Sequence, residues 1–310
     1  MKYKIIFSII FVIILINYFL YINYDFKSIV ITSLMTTKSH QYIARLLYSD
    51  STIKNVMNNN RIISSNSSNY NLINIIDTND LFEVKKIYKK HFRGYIAILN
   101  NPGNVHLEVS KDIGKSGELI TSLYKRSKAS VIINGGGFYD PEFESNGAFP
   151  HGVVIVNHSV VSYYSDLVVD GGFIGFNDDN KLILKKTDCN EATKIYRDAL
   201  EFGPFLIVDG VPSKVIGNGG YGYAPRTAIG QTRDGKVIFL VIDGRMPSSV
   251  GASMKDMIDL FLEYDVVNAA NLDGGSSSEL LVNGKIINKV VGGGSTGLRK
   301  MPSFWVYKVE

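Results

Sequence analysis

Hydrophobic and polar positions divide the chain into three stretches. Residues 5–24 carry no charge and are mostly Ile, Phe, Val, Leu and Tyr. In a helix rising about 1.5 Å per residue, such a run covers a hydrocarbon core of about 30 Å. Lys2 and Lys4 precede it, which predicts a cytoplasmic N-terminus and an extracytoplasmic remainder. The run is overlong for the apolar part of a signal peptide, and no small-x-small cleavage site precedes Asp25. Residues 1–25 are therefore expected to be an uncleaved transmembrane anchor. Residues 26–87 are expected to be a stalk, with short helices over 41–47 and 52–57. Within it, 58–71 is an Asn- and Ser-rich run that reads as linker, because it offers little apolar surface to offset its ordering entropy.

Residues 88–310 change pattern. Short apolar-rich runs recur at 95–99, 105–109, 131–133, 152–156, 160–164, 173–176, 182–184, 205–208, 227–230, 237–242, 280–282 and 304–309. Asp234-Gly235 and Asn283-Gly284 each lie between two such runs and supply the positive φ of tight hairpin turns. Two stretches have helical spacing instead. One covers 115–127, with Ser116 as N-cap. The other covers 253–264, with Ser253 as N-cap and Asp256 three residues on. The fold class this predicts is α+β: a twisted, mainly antiparallel or mixed sheet carrying a few packed helices, behind an N-terminal transmembrane helix.

Charge and composition narrow the possible functions. With 33 basic and 29 acidic residues the net charge is +4, too little and too dispersed for nucleic-acid binding. A single cysteine, Cys189, excludes an intrachain disulfide and any multi-cysteine metal cluster. The acidic stretch 178–180 reads as a hairpin turn rather than a calcium loop. No Walker-type loop or dinucleotide motif is present, so no cofactor and no metal is called for.

Glycine is concentrated after the apolar runs, at 135–137, 217–220, 274–275 and 292–294. Plain tight turns account for the second and fourth clusters. The others stand beside polar groups at strand ends: Asn134 before the first, Asp243-Gly244-Arg245 after the run 237–242, and Asp273 before Gly274-Gly275. An acid or amide ending a buried run is costly unless it is paired or faces a cleft, so these strand ends are expected to converge on one pocket.

The same segments carry a resemblance. Asn-Gly-Gly-Gly-Phe at 134–138, Pro-His-Gly at 150–152, Pro-Arg-Thr-Ala-Ile-Gly at 225–230, Asp-Gly-Arg at 243–245 and Asn-Leu-Asp-Gly-Gly-Ser-Ser-Ser at 271–278 occur in order, followed by Arg299 and a closing strand. The set resembles the phosphodiester glycosidase family, and the similarity covers residues 88–310. In that family the pattern near Asp273 more often has a third Gly where this chain has Ser276. The resemblance implies hydrolysis of the glycosidic C–O bond of a sugar-1-phosphodiester, in a surface glycan, exopolysaccharide, wall polymer or glycolipid outside the cell.

Such a reaction expels a phosphate monoester, already a good leaving group, so a strong general acid matters less than in other glycosidases. It needs cations for the diester charge and a carboxylate for water or for the oxocarbenium-like centre. Arg226 and Arg245 are the phosphate candidates because a guanidinium pairs with phosphate oxygens bidentately. The amides of Gly274, Gly275, Ser276 and Ser277 are a second cradle. Asp273 is the first candidate for the catalytic carboxylate and Asp243 the second. Asn134, Gly135, His151 and Arg299 are candidates to line the sugar. Two other readings use the same pocket: a phosphodiesterase that breaks P–O, and a non-catalytic module that binds anionic glycan.

Overall fold

The structure is a computed structural model and describes residues 2–37, 40–76, 78–140, 145–164, 171–292 and 297–309. Three antiparallel sheets share one interior. The largest has seven strands, in the order Val211–Pro212, Phe205–Val208, Val266–Asn271, Arg226–Thr232, Val237–Ile242, Arg93–Leu99 and Phe82–Tyr88. A five-stranded sheet runs Ser159–Tyr164, Gly152–Val156, Asp198–Phe202, Gly172–Phe176, Leu182–Lys185. The third, also five-stranded, runs Lys285–Ile286, Leu280–Val282, Val131–Asn134, Ser303–Tyr307, Val105–Val109. One cluster of buried side chains, including Leu99, Ile133, Ile174, Phe239 and Trp305, draws on all three.

Each sheet covers its outer face with a helix: Met254–Leu262 on the seven-stranded sheet, Cys189–Ile195 and Ile120–Ser127 on the other two. That is why Arg226–Thr232, Val237–Ile242 and Val266–Asn271 are buried at every position rather than at alternate ones. The Asp234-Gly235 and Asn283-Gly284 hairpins form where expected, with φ of 46° and 80° at the latter pair. The fold is therefore α+β with antiparallel sheets.

The helix expected over 253–264 forms as Met254–Leu262 with a full capping box: Ser253 Oγ accepts from Asp256 N, and Asp256 Oδ2 accepts from Ser253 N at 2.8 Å. Replacing Ser253 by Ala should lower unfolding stability by about 1 kcal/mol, measured by denaturant titration. The helix expected from 115 begins later, as Ile120–Ser127, and Ser116 is not its cap. Glu118 instead pairs with Met301 in an isolated bridge, and a side chain at Gly117 would collide with Gly147 O at 2.6 Å. That close approach holds the segment extended.

Among the described residues one helical stretch, Tyr3–Ile22, is long and apolar enough to cross a membrane, and it is not buried against the protein. After it, Asn23 Oδ1 accepts from Phe26 N at 2.9 Å and starts the helix Tyr24–Met35. This helix packs with Gln41–Leu47 and Asp50–Asn58 around Ile31, Ala44, Tyr48, Ile53 and Val56.

Much of the segment expected as a stalk is bonded to the rest of the fold. Arg61–Ile63 pairs with Lys214–Ile216, and Phe82–Tyr88 is an edge strand of the large sheet. The polar run 58–71 is ordered by hydrogen bonds as well as by Ile62, which is buried in the core under the large sheet. Asn60 Oδ1 accepts from Asn218 N at 2.7 Å and from Ser28 Oγ at 3.1 Å, and Ser68 exchanges bonds with the backbone of Leu184.

Candidate active site

A cleft of about 330 Å³ opens where strand ends from the three sheets meet. The strand Val266–Asn271 runs into Leu272 and Asp273, and the backbone there is clamped. Leu272 N donates to Thr227 O at 2.9 Å and Asp273 N to Gly135 O at 3.1 Å. Asn134 Nδ2 donates to Asp273 O at 2.7 Å, while its Oδ1 accepts from Thr227 Oγ1 at 2.7 Å. The Asp273 side chain is thereby fixed at the cleft floor. Burial pushes its carboxyl up. Donation from the Ser277 hydroxyl, the Arg299 charge and the Gly274 amide push it back down, and the Asp140 charge opposes them.

Arg226 opens the strand Arg226–Thr232 and is buried. Its Nε donates to Ala252 O at 3.1 Å, and its Nη2 donates to Tyr221 O at 2.7 Å and Gly222 O at 2.9 Å. These bonds aim the guanidinium; they do not neutralise it. Burial lowers its pKa to about 10. Arg245, in a left-handed conformation at φ 57°, lines the same cleft, and its charge is felt by Arg226. Neither arginine forms a salt bridge among the described residues. Arg226 also feels the Asp273 charge, but two guanidiniums facing one cleft against that single carboxylate leave a net positive charge that favours an anionic ligand.

The opposite side is anchored differently. Arg299 Nη2 donates to Asp140 Oδ2, its Nη1 donates to Ser276 Oγ at 3.2 Å and Ser277 Oγ at 3.4 Å, and the guanidinium lies 4.7 Å from the Phe138 ring centre. Arg299 N donates to Glu279 Oε1 at 3.0 Å. Glu279 is fully buried, its Oε2 has no partner among the described residues, and burial pushes its carboxyl up to about 8.

The structure thus brings Asp273, Arg226, Arg245, Gly274, Gly275, Ser276, His151 and Arg299 to one cleft. Ser277 stands just behind, holding Asp273 and Arg299. Three candidates lie elsewhere. Asp243 Oδ1 accepts from Lys289 N at 2.8 Å and borders a different depression, beside Ser249 and Ile287. Asn134 is the clamp described above, with donors and acceptor engaged inside the protein. Gly135 packs so closely on Ser303 that a side chain would meet its Oγ at 2.4 Å. The expected amide cradle is also largely occupied. Gly274 N donates to Asp273 Oδ1, Gly275 N to Pro225 O and Ser277 N to Gly274 O, as the chain folds into the 3-10 turn Gly275–Ser277. Of the glycine cluster 292–294, positions 293 and 294 lie outside the described residues.

Asp140, Phe138, Glu279 and the pair Thr36-Thr37 were not singled out from sequence. Asp140 follows the glycine-rich segment after Phe138 and Tyr139, and Glu279 stands immediately before the strand Leu280–Val282. Neither ends an apolar run with Gly beside it, so the pattern that marks Asp273 does not reach them. Thr36 and Thr37 follow the helix Tyr24–Met35 and reach the cleft, where Thr36 Oγ1 donates to Tyr221 O at 3.3 Å.

Comparison with known proteins agrees with this architecture. The chain matches the phosphodiester glycosidase family over residues 127–308, more than half its length, and belongs to that family. It is 29% identical over 187 residues to the SPbeta prophage-derived uncharacterized protein YomE of Bacillus subtilis, a match covering 57% of this chain and 28% of that protein. It is 41% identical over 61 residues to the N-acetylglucosamine-1-phosphodiester alpha-N-acetylglucosaminidase of Bos taurus, covering 20% of this chain and 11% of the bovine protein. The chain therefore aligns with less than a third of the length of either curated relative. In three dimensions it resembles the zebrafish N-acetylglucosamine-1-phosphodiester alpha-N-acetylglucosaminidase catalytic domain, auto-inhibited by pro-peptide. The TM-score is 0.61 and the identity 16%, over 81% of this chain and 95% of that one. At that identity the likeness concerns the fold.

Proposed function

We infer that this protein hydrolyses the glycosidic C–O bond of a sugar-1-phosphodiester, with Asp273 as the catalytic carboxylate. The observation that carries the reading is the meeting, in one cleft, of the Asp273 carboxylate with two arginines, of which Arg226 feels the Asp273 charge and neither is held in a salt bridge among the described residues. Arg226 and Arg245 hold the diester and then the departing phosphate monoester, whose added charge they favour over the ground state. With that leaving group stabilised, the remaining demand is at the anomeric carbon. Asp273 meets it, as base toward water or as nucleophile. Asp140 and Arg299 form the wall on which the sugar hydroxyls find donors and acceptors, with His151 beside them.

The sugar of the bovine and zebrafish relatives, N-acetylglucosamine, is the first choice of glycone. The apolar helix behind Lys2 and Lys4 supports a membrane-anchored enzyme whose cleft lies outside the cytoplasm, acting on a surface glycan, wall polymer, exopolysaccharide or glycolipid.

The test is hydrolysis of the methyl phosphodiester of N-acetylglucosamine-1-phosphate by the full-length protein in detergent, in oxygen-18 water. The expected result is label in the sugar and none in the phosphate, unchanged by chelator. Label in the phosphate would make the protein a phosphodiesterase.

A further inference from the structure

Next to the cleft the chain exposes a group of aromatic rings that the reaction described above does not use. Residues 137–139 and 149–151 run side by side as a short ribbon. Tyr139 N donates to Phe149 O at 2.8 Å, His151 N donates to Gly137 O at 2.9 Å, and Phe138 and Pro150 form a bridge between them. Side chains alternate across such a ribbon, so the directly opposed pair Tyr139 and Phe149 shares a face with His151, two residues on from Phe149. His151 lines the cleft, as does Phe138 next to Tyr139, so the pair lies at the cleft's edge. Tyr164, at the end of the strand Ser159–Tyr164 and paired with Gly152, closes the group. Its ring centre is 5.5 Å from that of Phe149 in a stacked arrangement and 5.5 Å from that of Tyr139. Tyr139 and Phe149 keep 39% and 42% of their surface exposed. Rings held by backbone bonds and by one another, yet open to water, add little to the core and form a preorganised apolar surface.

We propose that Tyr139, Phe149 and Tyr164 form a second sugar subsite, which takes a pyranose one unit beyond the sugar whose anomeric bond is cleaved. The substrate class is then an oligosaccharide joined through its reducing end to phosphate, and the proposal rests on the glycosidase reading. Direction along the cleft follows from the elements. Arg226 and Arg245 come from the seven-stranded sheet and fix the phosphate, while Phe138, Asp140 and His151 come from the ribbon and its continuation and fix the first sugar. The next unit away from the phosphate meets the rings. A pyranose offers a face of C–H groups and a rim of hydroxyls, which suits aromatic faces edged by two phenols. The exposed ring surface is roughly 200 Å², far below the about 800 Å² per partner of a stable protein interface, so a sugar fits this patch and a second copy of the chain does not.

The experiment compares two probes with the full-length protein in detergent: the methyl phosphodiesters of N-acetylglucosamine-1-phosphate and of chitotriose-1-phosphate. In Phe149→Ala and Tyr139→Ala, the ratio of kcat/KM for the trisaccharide to that for the monosaccharide should fall about tenfold from its wild-type value. An unchanged ratio would overturn the subsite. A second measurement does not depend on turnover or on the variants folding. On irradiating the aromatic protons of the wild-type protein, saturation should pass to the sugar C–H protons of free chitotriose, and its absence would also overturn the proposal. Saturation transfer with turnover of neither probe would keep the subsite and count against the glycosidase reading alone.

Discussion

Replacing Asp273 by Asn should reduce hydrolysis of a sugar-1-phosphodiester by at least about a thousandfold and leave the domain folded. The two side chains have nearly the same shape, and the amide oxygen can still accept from Gly274 N and the Ser277 hydroxyl. The backbone clamp by Asn134 and Gly135 involves only main-chain atoms of Asp273, so it survives. What disappears is the negative charge and the ability to take a proton or bond the anomeric carbon. Single-turnover rates and thermal unfolding of the variant check both halves of the prediction. A folded variant that keeps its rate would transfer the role to Asp140, the neighbouring carboxylate. Because burial raises the Asp273 pKa, the acidic limb of the wild-type rate profile should lie above the ordinary carboxylate range, with activity rising as the carboxyl deprotonates.

Much of this cleft is legible in the sequence because strand-end chemistry obeys a local rule. A polar residue at the end of a buried run, with Gly beside it, must be paired or face a cavity. Applied to Asp273 the rule leads to the site; Arg226 and Arg245 are reached instead from the chemistry of holding a phosphodiester. Applied to Asp243 it leads equally to pairing, and the partner is the backbone amide of Lys289, from a segment whose approach no local pattern reveals. Asn134 satisfies the same rule by tying three segments together. The rule names residues that need partners; it does not say whether the partner is protein or substrate.

Local geometry read best where turn and cap chemistry decide it alone, as at Asn283-Gly284 and Ser253. It failed at Ser116, where the backbone contacts of Gly117 and Met301 override the propensity. Residues 58–71 were opaque for a related reason. A run of Asn and Ser looks like linker because its order comes from hydrogen bonds to Asn218 and Leu184 and from packing of Ile62 on residues such as Leu206 and Ile258, all far along the chain.

Replacing Glu279 by Gln should flatten the pH dependence of stability between about pH 4.5 and pH 8. Burial holds this carboxyl at about 8 in the folded protein against an ordinary value of 4.5; among the described residues its Oε2 has no donor, and the Arg299 amide and charge offset burial only in part. Over that interval the folded state keeps a proton that the unfolded state has released. Its stabilising contribution is therefore complete below pH 4.5 and is lost as pH rises through 8. A shift of that size corresponds to roughly 5 kcal/mol between the two limits. That is enough to move Tm by on the order of 10 °C in a chain of this length. Gln keeps the acceptor for Arg299 N and cannot ionise, so its Tm should vary less from pH 5 to pH 9 and should exceed the wild-type value at pH 9. Asp273 and Asp243, whose carboxyls burial also raises, remain in the variant and account for the slope that persists. Parallel Tm curves for the two proteins would show that the proton is held elsewhere. Ionised Glu279 also sits behind Arg299, which bonds Ser276, Ser277 and Asp140. Wild-type activity is accordingly expected to fall with the same titration as pH rises, and to fall less in Glu279→Gln, a difference that filling the same space with a neutral side chain would not otherwise produce.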